Sequence, residues 1–100
     1  MSVERWRVTW AGAEAETQWQ AGEAAYPTQA AEAWLQLESN PLAHGLSLPS
    51  PAAQVIVMGR PMSKRLLWLT PDVVVGFAVD LAEREVWILT VRKYPSGTVF

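Results

Sequence analysis

Arg65-Leu66-Leu67-Trp68-Leu69-Thr70-Pro71-Asp72-Val73-Val74-Val75-Gly76-Phe77-Ala78-Val79-Asp80 holds two apolar runs split by Pro71-Asp72. Branched and aromatic side chains suit a pleated, packed surface, and a Pro-Asp pair suits a tight reversal. Two neighbouring antiparallel strands follow, because parallel pairing needs a crossover of roughly a dozen residues that this gap lacks. Working outward, Gln54–Met58 and Glu85–Val91 repeat the Val, Ile and Trp pattern, and Asp80-Leu81-Ala82-Glu83-Arg84 forms a longer reversal. The second half of the chain is therefore expected to be four strands.

The first half reads differently. Arg5-Trp6-Arg7-Val8-Thr9-Trp10 alternates, with Trp6, Val8 and Trp10 on one face, as a half-buried strand does. From Ala11 the pattern turns to Ala, Glu and Gln, and Ala15, Trp19, Gly22 and Tyr26 recur at helical spacing, with Gly22 expected to fray the helix. Pro27 suits the first turn of a second helix, whose stripe is Ala30, Ala33, Trp34 and Leu37. Ser39-Asn40-Pro41 stops it, since a residue before proline is driven out of helical geometry. Leu42–Ala53, with Gly45, Pro49 and Pro51, reads as a surface connection. The expected order is β-α-α-β-β-β-β, an α+β fold with a helical hairpin packed on a mostly antiparallel sheet. Trp34 and Trp87 are expected to be buried at the helix–sheet interface.

Length and composition narrow the functional classes. One hundred residues, half of them hydrophobic, suit one core, so residues 1–100 are expected to form a single domain. With no cysteine, disulfides, thiolate metal sites and cysteine nucleophiles are excluded. No apolar run approaches the roughly 20 residues that span a bilayer, and Met1-Ser2-Val3-Glu4-Arg5 has no basic-then-apolar signal pattern. A cytoplasmic protein without membrane contact is expected. Isolated glycines offer no phosphate loop, and one histidine leaves no histidine-based metal set, so neither cofactor nor metal is expected.

The formal net charge of −2 is unevenly spread, at −4 over residues 1–50 and +2 over residues 51–100. The basic residues of the second half cluster in Arg60-Pro61-Met62-Ser63-Lys64-Arg65 and in Arg92-Lys93-Tyr94. Arg60, Lys64, Arg65, Arg92 and Lys93 are thus candidates for binding a nucleic acid or an acidic partner. They also suit the charged edges that keep sheets from pairing with one another. His44 follows the second helix, where imidazole serves acid–base chemistry or caps carbonyls. Six tryptophans suggest a stacking platform, but their spacing places most in the core.

Taken together, Asn40-Pro41-Leu42-Ala43-His44-Gly45, Val73-Val74-Val75-Gly76-Phe77-Ala78-Val79-Asp80 and Arg84-Glu85-Val86-Trp87-Ile88-Leu89-Thr90-Val91-Arg92-Lys93 resemble the RelE/ParE superfamily of bacterial toxins, over almost the whole chain. The resemblance implies a toxin-like protein that acts on messenger RNA at the ribosome or on DNA gyrase, held in check by an antitoxin. RNA-cleaving members carry an arginine near Val73–Val75 and a tyrosine near Phe77, and this sequence has neither. Basic or aromatic groups expected at the end of the last strand are matched by Arg92, Lys93 and Tyr94, which join His44 as the catalytic candidates. Whether the chain is an enzyme stays open. The alternative is a non-catalytic module on the same scaffold, binding a protein partner or a second copy as a homodimer.

Overall fold

The computed structural model describes residues 5–44, 46–47 and 54–93. β1 (Arg7–Trp10) leads into α1 (Ala13–Ala25) and α2 (Pro27–Ser39). A short helical turn, α3 (Pro41–His44), and a two-residue strand, β2 (Leu46–Ser47), follow. Then come β3 (Gln54–Val57), β4 (Arg60–Thr70), β5 (Val73–Asp80) and β6 (Glu85–Lys93). No helix among the described residues is long and apolar enough to cross a membrane.

Glu14 and Glu16 lie in the first turn of α1, where negative charge meets the positive end of the helix dipole. The helix runs through Gly22 without fraying and ends at Tyr26. Pro27 dictates that end, since it drives Tyr26 out of helical geometry and then serves as a first-turn residue of α2. α2 buries Ala30, Ala33 and Leu37, a stripe at helical spacing. Asn40 closes it before Pro41. The Trp6 amide donates to the Glu38 carbonyl at 2.8 Å, tying the entry of β1 to the end of α2.

Six strands among the described residues form one sheet in the order β1-β6-β5-β4-β2, with β3 paired to another stretch of β4. The α+β class stands, but the sheet is mixed. β1 runs parallel to β6, with Val8 opposite Val86 and Trp10 opposite Ile88, while the other pairings are antiparallel. The short-gap rule applies to strands adjacent in sequence; β1 and β6 are joined by nearly the whole chain, so either direction was open to them. The expected order is also too simple, because β2 and most of α3 fall inside the stretch read as a plain connection, and β4 begins at Arg60 rather than Arg65.

Three tight connections shape the sheet. Met58 and Gly59 link β3 to β4 with φ of 51° and 78°, the paired positive values of a two-residue hairpin whose twist matches its strands. Thr70 Oγ1 accepts from the Asp72 and Val73 amides at 3.2 and 3.1 Å, fixing the Pro71-Asp72 reversal. Asp80 Oδ1 accepts from the Glu83 amide at 3.1 Å before Arg84 turns at φ 53°.

α1 and α2 cover one face of the sheet. Trp19, Ala30, Ala33 and Leu37 pack there on Leu67, Leu69, Val73, Val75, Phe77, Val79, Val86 and Ile88. A smaller cluster on the opposite face joins Val57, Met62 and Ala78, with Val55, Trp87 and Leu89 against it. Trp34 and Trp87, expected to be buried, are only half-buried. The innermost large side chains are instead Phe77, Leu37 and Ile88, because α2 turns Ala33 and Leu37 inward and leaves Trp34 at the interhelical side.

Candidate nucleic-acid interface

The face of the sheet that the helices leave uncovered is ordered by the period of two along each strand. Val73, Val75 and Phe77 face the helices, so Val74, Gly76 and Ala78 face away. Their registered neighbours share that side: Trp68, Leu66 and Lys64 on β4, and Arg92, Thr90 and Trp87 on β6. An irregularity between Gly76 and Phe77 lets Leu89 slip into the ladder without disturbing this sidedness further along β6.

Two cross-sheet rows result. In one, Lys64 on β4 and Trp87 on β6 flank Ala78; in the other, Trp68 on β4 and Arg92 on β6 flank Val74. Cation and indole thus exchange strands from one row to the next. Strand spacing puts the members of each row about 10 Å apart, and four residues of rise put the rows about 13 Å apart. Between them lies Gly76. A Cβ at that position would sit 2.8 Å from Thr90 Oγ1 and 3.4 Å from Lys64 Cε, so the missing side chain is what lets those groups lean across the centre of the face.

Trp68 is 38% exposed. Trp87 is half-buried, and its Nε1 is buried with no hydrogen-bond partner among the described residues, so the part of the ring that reaches solvent is carbon. Flat carbon surface beside a cation is what a nucleobase stacks on while its phosphate is neutralised. Sequence reasoning assigned both indoles to the core because their strands are apolar throughout. The alternation Lys64, Leu66, Trp68 was the available signal.

At the other end of this face the charges are already matched. Arg7 on β1 and Arg60 on β4 both pair with Glu85 on β6, the latter at 3.4 Å, and Arg60 also pairs with Asp80 on β5. Glu85 is 5% exposed, so its carboxylate depends on these partners for the solvation that burial removes. Arg60 is therefore spoken for.

The five basic residues singled out in the sequence do not form one patch. Lys64 and Arg92 share the open face. Arg60 belongs to the charge row at the far end. Arg65 sits opposite Phe77 on the helix side and donates through Nη2 to the Leu42 carbonyl at 2.9 Å. Lys93, opposite Val73, points the other way from Arg92, and both border a groove of about 360 Å³ between α1 and the end of β6. His44 ends α3, but its side chain, like the whole of Tyr94, lies outside the described residues. Among the described residues no three His, Cys, Asp or Glu side chains converge as a metal-ligand set would.

Comparison with models of known protein families, with curated proteins and with solved structures finds no match to this chain. The functional reading accordingly rests on the open face itself.

Proposed function

We propose that this chain is a toxin-like protein of the RelE/ParE pattern that acts by binding single-stranded RNA across the open face of its sheet. The observation that carries this reading is the exchange of cation and indole between the rows Lys64–Trp87 and Arg92–Trp68. Each row offers one stacking surface and one phosphate partner, and the rows are separated by about two nucleotide steps of an extended strand. Binding without rapid cleavage is favoured by β5: Val73, Val75 and Phe77, near the positions where RNA-cleaving members of that superfamily carry arginine and tyrosine, are buried beneath the helices. Asp80 and Glu85, the carboxylates nearest the face, are engaged by Arg60 and Arg7.

A second reading, a protein-binding or dimerisation module, draws on Ile56 and Met58, which lie 70% and 71% exposed at the β3–β4 hairpin. The two readings separate by titrating a fluorescent mixed-sequence RNA strand into the wild type and a Lys64→Ala, Arg92→Ala variant. RNA binding through this face predicts weaker binding in the variant. It also predicts that the slope of log affinity against log salt falls by about 1.4, the share of two single-strand phosphates. Equal affinity and slope would reject the face. Expression in bacteria adds the cellular arm, in which growth arrest by the wild type and its relief in the double variant are expected.

A further inference from the structure

Away from the open face, three tryptophans converge where α1, α2 and the end of β1 meet. The Trp19 and Trp34 ring centroids are 5.3 Å apart with planes tilted by 52°, and those of Trp10 and Trp34 are 5.9 Å apart at 46°. At these distances and tilts the rings pack on one another around Trp34, with Trp19 buried and Trp10 and Trp34 half-buried beside an open space. That space is a cleft of about 450 Å³ bounded by Trp10, Trp19 and Trp34, with Gln20, Glu23 and Ala31 at its rim. Its volume falls in the range of small-molecule sites.

Two features fix the sign of the ligand. Indole faces carry the negative part of the ring quadrupole and are the strongest aromatic partners for a cation. Glu23, the one ionised side chain on the rim among the described residues, is also negative. Trp10 Nε1 is buried and has no hydrogen-bond partner among the described residues, so Trp10 presents carbon, not a donor that would attract an anion. We infer that this cleft is an aromatic cage for a small organic cation of the alkylammonium class, with the half-buried Trp10 and Trp34 as its walls, the buried Trp19 as its floor and Glu23 as its counter-charge. An alkylated ammonium fits better than a metal ion, because its bulk matches the cleft and its weak hydration makes transfer to an apolar wall less costly.

The test uses choline and its neutral carbon isostere 3,3-dimethyl-1-butanol, which share shape but not charge. Titrations of the full chain are followed by the indole N–H resonances in ¹H–¹⁵N spectra. Choline is expected to shift the Trp10, Trp19 and Trp34 signals saturably and to bind about tenfold more tightly than the isostere. Glu23→Gln, a change at an exposed helical position, is expected to weaken choline several-fold and leave the isostere unaffected. Trp34→Leu should remove choline binding, and dispersed spectra would confirm that this variant is folded. Equal binding of the two ligands, no saturable shift with choline, or choline affinity unchanged in both variants would each overturn the cage. None of these outcomes depends on whether the sheet binds RNA.

Discussion

Trp68 and Arg92 stand on opposite sides of Val74, on β4 and β6, with their side chains on the uncovered face of the sheet. Val74 between them is almost fully buried, on the face turned away from α1 and α2. The Trp68–Arg92 row separates stacking from charge. Trp68→Ala is expected to lower affinity for single-stranded RNA by about 1–3 kcal/mol without changing the salt slope, because an indole neutralises no phosphate. Arg92→Ala should change both. Anisotropy titrations at several salt concentrations distinguish the two.

Gly76 supplies a prediction about the centre of that face. Gly76→Ala would bring a methyl group to 2.8 Å from Thr90 Oγ1, and is expected to destabilise the fold by about 1–3 kcal/mol through overpacking. Removing the obstructing hydroxyl should restore much of the loss, so Gly76→Ala with Thr90→Ala is expected to be more stable than the sum of the single changes implies. A double-mutant cycle by urea denaturation measures this coupling, and strict additivity would contradict the contact.

The charge row at the other end predicts an asymmetry. Glu85 is nearly inaccessible while the Arg7 side chain is largely exposed. Glu85→Ala leaves Arg60 with Asp80 and strands Arg7, and is expected to cost about 1–3 kcal/mol. Arg7→Ala should cost under about 1 kcal/mol, because Glu85 keeps Arg60 and the lost pair is solvent-screened. Unfolding midpoints in urea, which leaves ionic strength constant, give the comparison.

Much of the fold was legible because it follows local chemistry. The apolar runs around Pro71-Asp72 became β4 and β5, and Pro27 divided the helices as its ring requires. What could not be read depends on distant partners. Nothing in Arg7–Trp10 states that its neighbour will be β6, or that the two run parallel. Arg60–Lys64 falls outside the strand expected from Arg65, because Pro61 and the charges interrupt its alternation, yet β3 pairs with that stretch and Met62 packs beneath it. The candidate site suffered similarly. Sequence clustering grouped Arg60 with Lys64 and Arg65, whereas strand pairing assigns them to an ion-pair row, an open face and the helix side.

Core energetics follow burial, not residue size alone. Phe77 is fully buried at the centre of the helix-side cluster, whereas Trp34 is half-buried on the wall of the cleft. Phe77→Ala is expected to cost about 3–5 kcal/mol. Trp34→Ala should cost less, since part of its side chain stays exposed in the fold. A larger loss at Trp34 in chemical denaturation would contradict this ranking.

Met58 gives a prediction in the opposite direction. Its φ of 51° lies in the left-handed region, where a side chain of its kind is rarely found, and Gly59 beside it takes 78°. The two-residue turn demands both values, and asparagine followed by glycine is the pair best suited to them. The Met58 side chain is 71% exposed, so little packing is lost by replacing it. Met58→Asn is therefore expected to stabilise the fold by roughly 0.5–1 kcal/mol, within the range seen when a strained turn position receives a compatible residue. For a chain of this length, that corresponds to a rise in Tm of about 2–8 °C. The substitution also removes exposed apolar area, so it tests whether the hairpin tip has a second use. If Met58 anchors a protein partner or a second copy of the chain, the variant will be more stable but less self-associated by analytical ultracentrifugation. If the tip is only a turn, stability will rise and the sedimentation profile will not change. A lower Tm would show that Met58 holds contacts worth more than the backbone strain it carries.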